Sequence, residues 1–221
     1  MNADEPRAAI DEREFVDWDY GCDYYACQSL VDEKGRTILI GWMSLPHDAD
    51  DVRAYDNPTA TWRGCLTTPR VLTLCPKCGR VLQNPAEEFD ALRGEAQAWA
   101  DSVTVPTCAD VVIDGIEGEG QIAFDDFLTL TYKDGKAELL FHDDSVGQGR
   151  KGRRALIPEV KNIRVVVDTS VLEIFVNNGG WVFSTRFFKE CDELTISSTF
   201  KSESAVWYPM TPITINYLVE R

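Results

Sequence analysis

Asp19 and Asp23 stand four residues apart, and a pair of carboxylates is what a hydrolase needs for nucleophilic and acid/base work. In an extended segment both would project from one face, about 13 Å apart at the rise of a strand. A glycoside-cleaving pair sits about 5–5.5 Å apart for retention and about 6.5–9.5 Å for inversion. The spacing therefore favours two hydrogen-bonded structural carboxylates over a catalytic dyad. Cys75-Pro76-Lys77-Cys78-Gly79 offers two thiols across a tight turn, half of what a tetrahedral zinc site requires. No second close C-x-x-C pair exists and the two histidines, His47 and His142, are distant in sequence, although Cys65 or Cys108 could approach. An ordinary hairpin turn is the simpler reading of Cys75 and Cys78, with an exposed dithiol as the other chemistry. No metal or other cofactor is expected. The basic run Arg150-Lys151-Gly152-Arg153-Arg154 reads as a solvated loop paired with acidic neighbours rather than an anion site.

The elements that must position these residues are strands almost throughout. Leu128, Leu130 and Tyr132 alternate with polar residues up to Asp134-Gly135, and Ala137, Leu139 and Phe141 return. Val171 to Val176 and Trp181 to Phe188 flank Asn177-Asn178-Gly179-Gly180 as a second hairpin. Ile163 to Val167 is a β-branched run suited to a sandwich interior, and Val206 to Val219 completes the series, with Pro209 and Pro212 marking a bend or an edge. This spacing predicts a β-sandwich from about residue 103. Upstream, Tyr24 to Leu30 and Thr37 to Met43 flank the turn Asp32-Glu33-Lys34-Gly35, and Val71 to Leu74 and Arg80 to Gln83 flank the cysteine turn. Pro85 to Ser102, with Glu87 and Glu88 after a proline, reads as a short helix or an irregular linker.

Composition limits the partners. Among 221 residues, 37 acidic against 22 basic give a formal charge of −15, a surface that repels phosphate backbones and anionic membranes. Neither nucleic acid nor a membrane is an expected partner. A hydrophobic fraction of 44% with six Trp marks a folded protein. Met1 to Ile10 is charged rather than apolar, and seven cysteines without a small-scaffold spacing read as mostly reduced thiols, so a cytoplasmic protein is expected.

Four segments together resemble family 32 glycoside hydrolases, the invertases, fructanases and sucrose-6-phosphate hydrolases. Asp19-Tyr20-Gly21-Cys22-Asp23-Tyr24-Tyr25-Ala26-Cys27-Gln28 is similar to D-x-G-x-D-F-Y-A-x-Q. Gly35-Arg36 with Ile40-Gly41-Trp42-Met43 resembles G-R followed by I-G-W-M. Trp62-Arg63-Gly64 with Pro69-Arg70-Val71-Leu72 resembles W-x-G with P-R-x-L. Asp168-Thr169-Ser170-Val171-Leu172-Glu173-Ile174-Phe175-Val176-Asn177 resembles D-x-S-x-x-E-x-F-x-N. Each segment alone is weak; their order and spacing give the resemblance its weight.

The resemblance implies an all-β protein: a partial five-bladed-propeller segment over residues 1–100, then a C-terminal β-sandwich over 101–221. It also implies where carboxylates should be: a nucleophilic Asp in W-M-N-D-P-N-G, a stabilising Asp in R-D-P and an acid/base Glu in E-C. None of these motifs stands in its expected place here. Asp56-Asn57-Pro58 reverses two letters of the first, and Glu190-Cys191 spells the third but falls in the sandwich. No catalytic residue is therefore assigned. Trp42 ends a strand that runs near the sugar pocket in the family's propeller, and its face could stack on a sugar ring. Asp19 and Tyr24 are weaker candidates for contacting a fructose-containing sugar, with Tyr24 and Tyr25 more simply core. A propeller segment cut from its ring exposes strand edges, so self-association or pairing with a separately encoded N-terminal propeller chain is expected. The function expected is that of a truncated, non-catalytic homologue, at most carbohydrate-binding. The alternatives are half of a split β-fructosidase, or an assembly module.

Overall fold

The computed structural model describes residues 16–44 and 64–212. Asp56-Asn57-Pro58, Trp62-Arg63, His47 and the end of the Val206 to Val219 run lie outside the described residues. The described residues are nearly all β, in three antiparallel sheets with one short α-helix, Asp144–Gly147.

The first sheet holds β1 (Tyr25–Val31), β2 (Thr37–Met43), β3 (Cys65–Leu66), β4 (Arg70–Leu74) and β5 (Val81–Pro85). Its order is β1-β2-β4-β5, with β3 also paired to β2. Both hairpins read from the sequence form here, β1–β2 around Asp32–Gly35 and β4–β5 around the cysteine turn. A bulge interrupts β1 between Tyr25 and Gln28, where Ala26 adopts φ 46°.

Pro85 to Ser102 is neither one helix nor a plain linker. It contains a 3-10 helix, Glu87–Leu92, then the two-residue strand β6 (Gln97–Ala98) and the start of β7 (Ser102–Pro106). Both short elements carry too few residues for a periodic signal.

The sandwich is made of two six-stranded sheets. One places β12 (Gly152–Leu156), β11 (Lys136–Phe141), β10 (Leu128–Lys133), β9 (Gly120–Phe124), β16 (Glu193–Ser198) and β7 side by side. The other runs β15 (Trp181–Arg186), β14 (Val171–Val176), β13 (Asn162–Asp168), β8 (Cys108–Asp114), β17 (Ser204–Pro209) and β6. The β10–β11 hairpin turns through Asp134 and Gly135, at φ 49° and 72°, and sends Leu128, Leu130 and Tyr132 inward with Ala137 and Leu139. The core between the sheets gathers Val111, Ile122, Phe124, Phe127, Ile163, Val165, Leu172, Ile174 and Phe183.

Strand β14 is buried along its whole length because it is covered on both faces. Leu172, Ile174 and Val176 face the sandwich core. Phe175 packs instead with Val166, Val182 and Phe89, and Glu173 reaches Arg70 of the first sheet. The first sheet thus lies on the outer face of β14–β15, a third layer. The β14–β15 turn locks it in place, since Gly179 accepts from the Gln83 N–H at 3.0 Å. Gly179 has φ +76°, and a Cβ there would lie 2.0 Å from the Gln83 carbonyl oxygen, so only glycine fits.

Candidate functional site

The junction of the first sheet with the sandwich is polar and closed. Arg70, on β4, has a fully buried side chain. Its Nη1 donates to Asp19 Oδ2 and Gln83 Oε1, both at 3.1 Å, and its Nη2 donates to Glu173 Oε2 at 2.7 Å and Ser184 Oγ at 2.6 Å. Asp19 also accepts from Ser184 N, Ser184 Oγ and Gly21 N at 2.7–2.8 Å. Glu173 accepts from Thr68 N at 2.7 Å. Burial pushes both carboxyls above the ordinary carboxylate range, and the Arg70 charge pulls each part of the way back. Two rings lie close to the guanidinium, Tyr24 at 5.0 Å and Phe175 at 5.4 Å.

Asp23 belongs to a second network. Arg150 holds it in a fork, Nε to Oδ2 at 2.6 Å and Nη2 to Oδ1 at 2.5 Å, and Arg186 N adds a bond at 2.9 Å. The segment carrying Asp19 and Asp23 is not a strand. It bends at Trp18, Gly21 and Cys22 and runs beside β15, with Tyr20 N donating to Val182 O and Asp23 N to Ser184 O. The two aspartates therefore serve different arginines. The basic run is corrected as well: Arg150 is buried rather than solvated, because Asp23 needs a cation. Arg154 does pair in the open, with Glu138 at 2.8 Å.

Trp42 lies near the end of β2, 37% exposed. Opposite it on β1 is Tyr25 and on β3 is Leu66, so the three share one face of the sheet. Tyr25 is 52% and Leu66 66% exposed, and the Tyr25 and Trp42 rings meet edge to face at 6.3 Å. Gly64 seats the indole, since a Cβ there would come within 2.3 Å of Trp42 Nε1. The reading of Tyr25 as core is corrected: period-two alternation sends it outward when Tyr24 packs on Arg70 and Gly41. Tyr24 is half-buried and burial pushes its hydroxyl pKa upward. Of the three candidate sugar contacts, Trp42 presents an open face, Tyr24 is turned inward and Asp19 is sealed in the junction.

Cys75 and Cys78 bracket the β4–β5 turn. Among the described residues no three His, Cys, Asp or Glu side chains cluster as metal ligands; His142 is engaged with Thr129 at 3.0 Å. Glu190 is exposed in the loop after β15, and the Cys191 thiol donates to Lys189 O at 3.7 Å.

The model for the glycosyl hydrolases family 32 N-terminal domain matches residues 2–85, and that for the family 32 C terminal matches residues 127–211. The chain belongs to glycosyl hydrolase family 32. Sucrose-6-phosphate hydrolase of Bacillus subtilis (strain 168) is 31% identical to it over 207 residues, spanning 87% of this chain and 42% of that protein. The Vibrio alginolyticus enzyme of the same name is 34% identical over 209 residues, 89% and 40%. Among solved structures, a family 32 beta-fructofuranosidase of Bombyx mori aligns with TM-score 0.67 at 24% identity, covering 90% of this chain and 43% of that one. A sucrose-6-phosphate hydrolase of Lactobacillus gasseri aligns at 0.69 and 19%, covering 88% and 42%. The chain spans about 40% of the length of the curated relatives it matches.

Three of the segments that carry the family resemblance meet in one place: Asp19, Arg70 and Glu173 come from three of them and form a single buried cluster. In this family 32 chain those residues join the layers. Their convergence was not legible from any one segment; a glutamate inside the otherwise apolar run Val171 to Val176 was the available signal.

Proposed function

We propose that this family 32 chain is a non-catalytic partner domain, inactive on its own and at most carbohydrate-binding, with sugar contact at the Trp42–Tyr25 face. The observation that carries this is the fate of its acidic residues. Asp19, Asp23 and Glu173 are consumed by buried arginines. Trp42, beside exposed Tyr25, keeps the flat apolar surface that a sugar ring stacks on. Titration with fructose and sucrose, read by tryptophan fluorescence, tests it. Quenching that disappears in Trp42→Ala supports the site; quenching that survives the substitution removes Trp42 from it.

A second reading, half of a split β-fructosidase, draws on β1. Among the described residues that strand is the edge of its sheet, with Tyr25, Leu30 and Val31 52–70% exposed, an apolar edge of the kind that receives another strand. The occupant would be an N-terminal propeller segment bearing the carboxylates, or a second copy in an assembly role. The relatives named for sucrose-6-phosphate hydrolysis make sucrose and its 6-phosphate the substrates to test. Mixing the chain with the N-terminal portion of the Bacillus subtilis relative should generate activity that neither piece has; a mixture no more active than its parts removes this reading. All seven cysteines are free thiols, which supports a reducing compartment, the cytoplasm. Among the described residues no helix is long and apolar enough to cross a membrane.

A further inference from the structure

The β4–β5 tip carries two thiols that neither the junction nor the Trp42 face uses. Its turn is closed twice: Cys75 N donates to Arg80 O at 2.8 Å, and Gly79 N donates to Cys75 O at 2.9 Å. Cys78 is exposed and Cys75 half-buried on this turn, and the Cys78 thiol, the Cys78 and Lys77 backbone N–H groups and the Lys77 charge bias Cys75 toward its thiolate. These donors hold Cys75 below the usual thiol range. Burial drives other cysteines the opposite way: Cys22, Cys108 and Cys191 are pushed up, and Cys65 to about 11. Cys78 is exposed and borders a cleft of about 470 Å³ that Trp18, Arg80, Gln83 and Gly180 also line. A small molecule can therefore reach the Cys78 side of the turn, where Cys75 is half-buried. A tetrahedral ion would find only two ligands, since no third His, Cys, Asp or Glu joins them among the described residues.

We propose that Cys75 and Cys78 form a thiol–disulfide exchange site for low-molecular-weight disulfides. The Cys75 thiolate attacks one sulfur of the small disulfide; that S–S bond breaks, and the released thiolate takes up a proton. The Cys78 thiol then loses its proton, and its sulfur attacks Cys75 in the mixed disulfide, expelling the second small thiol. Two protein thiols are oxidised and one small disulfide is reduced to two thiols. The product is a covalent clasp across the turn. The clasp sits beside Arg80, whose guanidinium lies 4.0 Å over the Trp181 ring and whose Nε donates to Gly180 O at 3.1 Å. Oxidation would therefore stiffen the contact between the first sheet and the β14–β15 turn.

The test equilibrates the full chain, with a metal chelator present, against graded mixtures of glutathione and glutathione disulfide, then acid-quenches, alkylates and maps the peptides by mass. The free peptide spanning residues 74–80 serves as the control. The Cys75–Cys78 pair is expected to lose two hydrogens and keep no glutathione, under conditions about tenfold more reducing than the peptide needs, while the other five cysteines remain alkylated. Cys78→Ser should trap glutathione on Cys75. The proposal is overturned if the folded tip oxidises no more readily than the peptide, if glutathione persists on the unsubstituted chain, or if Cys78→Ser leaves Cys75 unmodified.

Discussion

Arg70 is a single cation set between Asp19 and Glu173, all three shielded from water. Removing one member of a buried ion cluster leaves the others uncompensated, which costs about 3–5 kcal/mol. Arg70→Ala is expected to lose that much in urea unfolding, whereas Arg154→Ala, which breaks an exposed pair with Glu138, should lose about 1 kcal/mol or less. Equal losses would show that Arg70 is not the centre of the junction. A different regime holds on the surface, where Arg36 and Lys34 clasp Glu88 at 2.6–3.1 Å and hold its carboxyl down to about 2. The folded-state value is depressed, so the clasp contributes above the ordinary glutamate pKa of about 4.3 and is lost as pH falls through about 2. A carboxyl-carbon NMR titration of Glu88 should show that low midpoint; one near the ordinary value would mean the clasp is not formed in solution.

At the scale of elements, what the sequence announced depended on period and turn chemistry. The Leu128 to Phe141 hairpin was legible because alternation and Asp134-Gly135 agree, and both are realised in its register. The 3-10 helix at Glu87–Leu92 and the strand Gln97–Ala98 were not, since neither is long enough to repeat a pattern. The junction was hidden for another reason: Asp19, Arg70 and Glu173 are 51 and 103 residues apart in sequence, and an ion cluster assembled over such distances leaves no local periodicity. Tyr25 was misread as core because the bulge and the alternation of β1 decide which tyrosine turns outward. Gly179 tests the packing of elements directly. Gly35 and Gly179 both have φ +76°, but only at Gly179 would a Cβ meet another chain segment. Gly179→Ala should therefore lose about 1–3 kcal/mol more than Gly35→Ala in thermal or urea unfolding, the usual cost of overpacking. Equal losses would mean the β14–β15 turn does not bear on β5.

For the whole molecule, the arrangement of the described residues is a sandwich carrying one sheet in which β1 is the outer strand. An exposed apolar edge favours association, and a lysine on it opposes pairing. Val31, 70% exposed, is the place to put one: Val31→Lys should shift the concentration dependence of sedimentation toward monomer, and no shift would exclude β1 as the associating edge. Activity is the larger question. Among the described residues Asp19, Asp23 and Glu173 are held by buried arginines, and family 32 membership does not by itself supply reacting groups. The most direct measurement is release of glucose from sucrose by the purified chain alone, at high protein concentration and over long incubation. Release no faster than in buffer is the expected result. Turnover that co-purifies with the chain and disappears on substitution of one of its own carboxylates would contradict the proposal that this chain is non-catalytic.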